Sequence, residues 1–450
     1  MVLAEIFSND MIFQRGKEIC IFGTGEGRGT VEFCGNTVEF EAVKGEFRAY
    51  LPPMEAGGPY DMKVTLNGEE TVLTNILVGD VYFAGGQSNM YLLLRSTTKI
   101  ELEDNSNIRF FTEPHSYYYE NHRLCDHAVW HECKGEDALG FSAIGYYFAK
   151  HLYQQTGVPV GVISCNWGSS RVDAWTSPEI VETEEYQALM PEKGQSYYAR
   201  LFNQESWLYK NKLLNVAPFA LNGVLWYQGE SNTYKGECFS YGTRLDIMIK
   251  NWRKLWNDDL PFYCIQIMPF DIHNDSDWGT VRQGIEYVAK NTDKVYMTTL
   301  EKTGESKLIH PTRKKRLAVS LAKAVLCEQF GIKQEYCGPV YDTVDWFENG
   351  VKITFTHADN LEIRGEYLED SYVYNEVGTA FTVEAEVSGN SLVLTWEDGI
   401  IATKVSMGFG NNPSHNLYNG EGYLASPFNI ENEKVAEGVT TIEEVDNYVG

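Results

Sequence analysis

At 450 residues, with 43% hydrophobic and 13% aromatic side chains, the chain has material for two or three domains and a well-packed core. Its 37 Lys and Arg against 63 Asp and Glu give a net charge of −26, which argues against nucleic acid and anionic membranes as partners, because phosphate binding needs a basic footprint. That balance suits an enzyme of small or neutral substrates; an anionic sugar would need a local arginine to offset the field.

In chain order, residues 1–78 read as short strands with turns. Runs at residues 18–22, 30–33 and 62–66 are strand-like, Asn67-Gly68 is a hairpin signal, and Pro52-Pro53 is a breaker. Residues 1–6 lack a basic segment followed by an apolar run, so no signal peptide is expected and a cytoplasmic location is favoured. A secreted chain shorn of its leader would read the same. No stretch is apolar enough to span a membrane.

From 79 to 337 buried strands alternate with amphipathic helices. Helices are expected at 144–155, 201–214, 241–256, 281–290 and 313–330, and strands at 158–165, 221–227, 261–267 and 294–300. This alternation predicts an α/β unit whose parallel sheet is covered on both faces, with ligands bound at the carboxyl ends of the strands. From 338 to 450 short strands return, for example 351–355 and 391–396, ending in an acidic, poorly patterned tail from Glu431 that is expected to be loosely attached. Nine cysteines are scattered without zinc or CxxC spacing. Cys20, Cys34, Cys165 and Cys264 are expected as free core thiols.

Polar clusters follow three of the strands: Gly86-Gln87-Ser88-Asn89-Met90, Asn166-Trp167-Gly168-Ser169-Ser170-Arg171, and Gln228-Gly229-Glu230-Ser231-Asn232. A fourth piece, His310-Pro311, precedes the last helix. Each has a bland reading as turn, cap or solvated loop. In a parallel sheet they would converge on one edge, and together they supply what ester hydrolysis needs: a serine at a tight turn, a histidine to carry its proton, and N–H donors for an oxyanion.

The chain resembles the sialate O-acetylesterase family, a branch of the SGNH (GDSL-like) hydrolases. The resemblance rests on Gly86-Gln87-Ser88-Asn89-Met90, Trp226-Tyr227-Gln228-Gly229-Glu230-Ser231-Asn232 and Ile309-His310-Pro311. Flanking stretches such as Ala174-Trp175-Thr176-Ser177-Pro178 and Asn411-Asn412-Pro413 match too. It covers about residues 3–430 and implies a three-layer SGNH sheet flanked by the two β-rich modules. It implies Ser88 as nucleophile, His310 as general base and acid, and the backbone N–H groups of Ser88 and Gly168 in the oxyanion hole. Gln228 is expected to complete that hole with its side-chain amide, Asn232 being the alternative. Glu230 is expected to organise the serine loop, with Gln87, Asn89 and Arg171 supporting the site or touching substrate. No metal or organic cofactor is implied.

One departure matters. The family places an aspartate two or three residues before the histidine, where this chain has Leu308 and Lys307. Glu305 or Glu301 could orient the imidazole instead, or a backbone carbonyl near Lys307 could leave a Ser-His dyad. The function implied is removal of O-acetyl groups from acetylated sugars: sialic acids, or xylan and mannan oligosaccharides. A non-catalytic sugar-binding protein on the same fold is the competing reading.

Overall fold

One strand of 18 residues, Glu69–Gly86, organises the molecule. Its first half pairs with Gly57–Leu66 across the Asn67-Gly68 turn, and its second half is the centre of a parallel sheet. The boundary expected between residues 78 and 79 therefore falls inside a single strand. In the computed structural model residues 1–114, 118–119, 122–123, 128–191, 200–234, 236–272 and 274–436 are described. The end of the acidic tail, from residue 437, lies outside them.

The sheet runs in the order Trp130–Cys133, Asn105–Thr112, Val160–Asn166, Glu69–Gly86, Gly223–Tyr227, Phe262–Ile265, Val295–Thr298, and only the first of these is antiparallel to its neighbour. Its central strands are apolar on both sides because both faces are covered. Tyr82 packs 4.9 Å from the ring of Phe148 in the Ala143–Thr156 helix, and its hydroxyl donates to Gln329 in the Lys315–Phe330 helix. Phe83, the next residue, meets Trp252 of the Tyr241–Trp256 helix at 5.3 Å. Adjacent residues of a strand point to opposite faces, so these helices lie on opposite sides of the sheet. Helix Trp278–Asn291 packs on Tyr241–Trp256 where Gly242 and Gly284 let the two backbones touch.

Sequence signals set the helix ends. The Ser142 hydroxyl and the Asp277 carboxylate accept N-cap bonds from Gly145 and Thr280, and Gly157 and Gly331 close helices with positive φ. The helix expected over 201–214 differs. Residues 201–203 form a separate short turn, and Ser206, at φ +62°, breaks the chain before the helix proper starts at residue 207. Cys34, expected in the core, is exposed.

A single apolar core joins the amino-terminal strands to the α/β part; Phe13, for instance, stacks on Phe219 at 5.9 Å. A second core, from Val351 to Ile430, fills the carboxyl-terminal strands. Buried Arg282 ties that part to the sheet, donating to the carbonyls of Ile267, Met268, Gly410 and Asn411. Among the described residues no helix is long and apolar enough to cross a membrane.

Candidate active site

Strand register brings the three polar clusters level. Asn166 and Tyr227 both pair with Gly86, so the turns that follow leave one edge of the sheet together. The chain runs to one side of the central strand and then returns to the other, which makes this edge the topological switch point where α/β sheets bind ligands.

Gly86 makes the serine turn possible. Its φ is +127°, and a Cβ there would lie 2.1 Å from the Tyr227 carbonyl oxygen. The chain then reverses through Gln87 into the single helical turn Ser88–Tyr91, placing Ser88 at its first position. Gln87 is buried, and its side-chain oxygen accepts from the backbone N–H groups of Gly229 and Ser231 at 3.4 and 3.3 Å, lashing the serine turn to the third cluster.

Ser88 Oγ lies 2.7 Å from His310 Nε2. Solvent reaches His310, yet the surrounding protein desolvates it, and this burial together with the nearby Lys314 charge lowers its pKa from the ordinary value. The neutral imidazole that results can accept the serine proton. Gly168 lies alongside: a Cβ built on it would meet only the Cβ of Ser88, at 3.7 Å. The Trp167 N–H and the Ser170 hydroxyl both donate to the Gly86 carbonyl and hold this second turn against the first.

Asn89 stands between the serine and histidine loops. Its Nδ2 donates to Glu230 Oε1 at 2.6 Å and to the Ile309 carbonyl at 3.0 Å, while its Oδ1 accepts from Lys314 Nζ at 2.6 Å. Burial raises the pKa of Glu230. Lys314, also buried, is pushed down to about 7 by desolvation, with Glu230 and Glu305 pulling the other way. Sequence reading missed Lys314 among the basic residues 313–316. The available signal was its spacing: it shares a helical face with the buried Leu317, Ala318 and Leu321.

Three expectations need correction. Gln228 reaches the strand end but does not offer its amide to the serine. It is fully buried, and its Nε2 donates to Asn232 Oδ1 at 2.7 Å and the Ser170 carbonyl at 3.1 Å, while its Oε1 accepts from the Tyr241 hydroxyl. Asn232, the alternative donor, is equally buried, with its Oδ1 on Gln228 and the Val172 N–H and its Nδ2 toward Glu237. Both residues bind the second turn to the third.

Arg171 does not project into the cleft. It is wholly buried, with its guanidinium 2.5 Å from Glu237 and 3.3 Å from Asp173, and Arg244 completes the cluster on Asp173 at 2.8 Å. Burial works against the Asp173 carboxylate, but the two arginines outweigh it and lower its pKa.

Neither candidate acid touches the imidazole. Glu305 accepts from the Thr312 N–H and hydroxyl at 2.8 and 2.7 Å and from the Arg313 N–H, bracing the turn that carries His310. Glu301 faces Arg316 at 3.6 Å, in a separate cavity of about 170 Å³ lined also by Arg364, Tyr418 and Tyr423. Among the described residues no His, Cys, Asp and Glu cluster is placed to hold a metal ion.

Residues 78–327 match the family described as carbohydrate esterase, sialic acid-specific acetylesterase. The sialate O-acetylesterase of Rattus norvegicus is 24% identical over 434 residues, spanning 80% of each chain. The human sialate O-acetylesterase is 22% identical over 413 residues, spanning 80% of this chain and 77% of its own. The crystal structure of a carbohydrate acetylesterase from Xanthomonas citri superposes with a TM-score of 0.85 at 26% identity, covering 96% of this chain and 99% of that one.

Proposed function

The chain belongs to the carbohydrate esterase family of sialic acid-specific acetylesterases, and we propose that it removes O-acetyl groups from acetylated sugars through an acyl-enzyme on Ser88. The observation that carries the proposal is the 2.7 Å contact between Ser88 Oγ and His310 Nε2. We read the covered parallel sheet as the three-layer SGNH arrangement, and the competing non-catalytic reading loses support from the intact pair.

In the first half-reaction His310 Nε2 takes the hydroxyl proton as Ser88 Oγ bonds to the acetyl carbonyl carbon. The carbonyl oxygen becomes an oxyanion, a charge we assign to the backbone N–H groups of Ser88 and Gly168. Collapse breaks the bond to the sugar oxygen, which leaves with the proton from His310, and acetyl-Ser88 remains. Water then attacks, His310 accepts its proton, and acetate departs as Ser88 recovers its hydrogen.

A second substrate reading follows from Arg171. An acidic sugar calls for a cation in the cleft, and the arginine expected there lies in a buried ion cluster. That favours neutral acetylated oligosaccharides of the xylan or mannan type alongside O-acetylated sialic acids. Acetate release should be screened over all three. Ser88→Ala should lose roughly 10⁴–10⁶-fold in kcat, and a serine-directed phosphonate should add once, at Ser88. Retained turnover in Ser88→Ala overturns the proposal.

A further inference from the structure

Lys314 has no part in the chemistry above, yet its side chain is buried beside the serine turn. The other fully buried lysine among the described residues, Lys212, pairs with the carboxylate of Glu113. Lys314 forms no such pair; its Nζ meets a side-chain amide and lies 5.2 Å from the Tyr227 ring centroid. Burying an ammonium without a carboxylate is costly. A methionine would fill the same space without that cost but would leave the buried Asn89 Oδ1 without its donor.

Lys314 Nζ has an N–H to donate in both its charged and its neutral form. By holding Asn89 Oδ1 it orients the amide, so that Nδ2 faces Glu230 and the Ile309 carbonyl. Asn89 is bonded to Ser88 and Ile309 to His310, and Lys314 follows on the same turn as His310. The contacts close a ring around the 2.7 Å gap between nucleophile and base.

We propose that Lys314 is a positioning residue that sets the Ser88–His310 geometry by clamping the amide of Asn89. The inference rests on the reading that these two residues are the catalytic pair. Lys314 acts on His310 in a second way: its charge opposes the imidazolium. The other groups facing Lys314 are Glu230, Glu305 and Tyr227.

The test is steady-state hydrolysis of p-nitrophenyl acetate between about pH 5 and 9 by the wild type, Lys314→Met, Asn89→Ala and the double variant, with circular dichroism to establish folding. Each single variant should lose on the order of 10²-fold in kcat with KM little changed, the scale of a small misplacement of reacting groups. The double variant should fall no further than the weaker single, because both remove one link. The acid limb of kcat/KM should move to higher pH in Lys314→Met and stay in place in Asn89→Ala. Lys314→Gln is made beside Lys314→Met, so that a folded variant is at hand; its shorter side chain leaves Asn89 Oδ1 out of reach and should give the same loss. An unchanged kcat in either folded Lys314 variant, or losses that multiply in the double, overturns the inference. Activity surviving in Ser88→Ala instead overturns the catalytic pair itself, so the two failures are told apart.

Discussion

Asn89, the residue after the nucleophile, donates its side-chain amide to the carbonyl of Ile309, the residue before the histidine, at 3.0 Å. The two lie 220 positions apart, one at the end of the central strand and the other on a loop before the last helix of the α/β part. A single bond of about 1 kcal/mol therefore joins the Lys314–Asn89 bond and the Ser88–His310 contact in tying the two loops together. Catalytic geometry here depends on how the loops are fastened, because among the described residues no carboxylate reaches the imidazole to orient it.

Glu305→Gln should be mild and Glu301→Gln nearly silent. Burial works against the Glu305 charge, yet the bonds from Thr312 and Arg313 outweigh it and lower its pKa, so the carboxylate is a brace for the turn. Its amide variant puts an N–H against those donors and should lower kcat about tenfold through loop disorder, against the roughly 10⁴-fold loss expected of a true triad acid. Measuring kcat for both variants decides; a loss of the larger size in either would restore the three-residue triad.

His310 sets the pH response. Its pKa lies below the ordinary 6.5 because burial disfavours the imidazolium, with Lys314 adding to the effect. The base works only when neutral, so kcat/KM should fall as pH drops through that lowered pKa and stay high above it. The midpoint of the acid limb should lie under about 6.5. A midpoint above that value would show that the histidine gains, rather than loses, stabilisation of its charged form.

The two glycines that flank the serine should respond differently to alanine. At Gly86 a methyl meets the Tyr227 carbonyl at 2.1 Å in a backbone conformation that L residues avoid, whereas at Gly168 it makes ordinary contact with the Ser88 Cβ at 3.7 Å. Gly86→Ala should destabilise by several kcal/mol, since backbone strain alone costs about 1–3 kcal/mol and the clash adds to it. Gly168→Ala should keep its melting temperature and lose kcat, because the methyl narrows the space beside Oγ. A thermal melt of each, paired with its kinetics, tests the contrast.

What could be read from sequence was whatever local pattern determines. The Gly86-Gln87-Ser88 turn, the helix over 241–256 and the convergence of three strand ends followed from apolar periodicity and glycine placement, and Ser88 and His310 do meet. The partners of polar side chains were not legible. Gln228 at a strand end could have faced the cleft or the core, and only the position of Tyr241, Ser170 and Asn232 around it decides for the core. Lys314 was hidden for the same reason, since its significance lies in an amide 225 residues away.

Arg171 shows how far such a placement changes the expected phenotype. As a residue of the cleft, its loss would raise KM for an anionic sugar and leave the fold alone. In the structure it has no exposed surface, pairs with Glu237 and shares Asp173 with Arg244. Burial pushes the Glu237 pKa up to about 7 even with both arginines present, so removing one leaves a carboxylate with too little positive charge to stay ionised. Breaking such a cluster from one side typically costs about 3–5 kcal/mol. Arg171→Met should therefore lower stability by that order in urea denaturation, and the loss should grow as pH rises above about 7, where the Glu237 of the variant, its pKa raised further by the lost arginine, is forced towards an unpaired buried charge. At a temperature where the variant is folded, KM should match the wild type. A raised KM at unchanged stability would return Arg171 to the cleft.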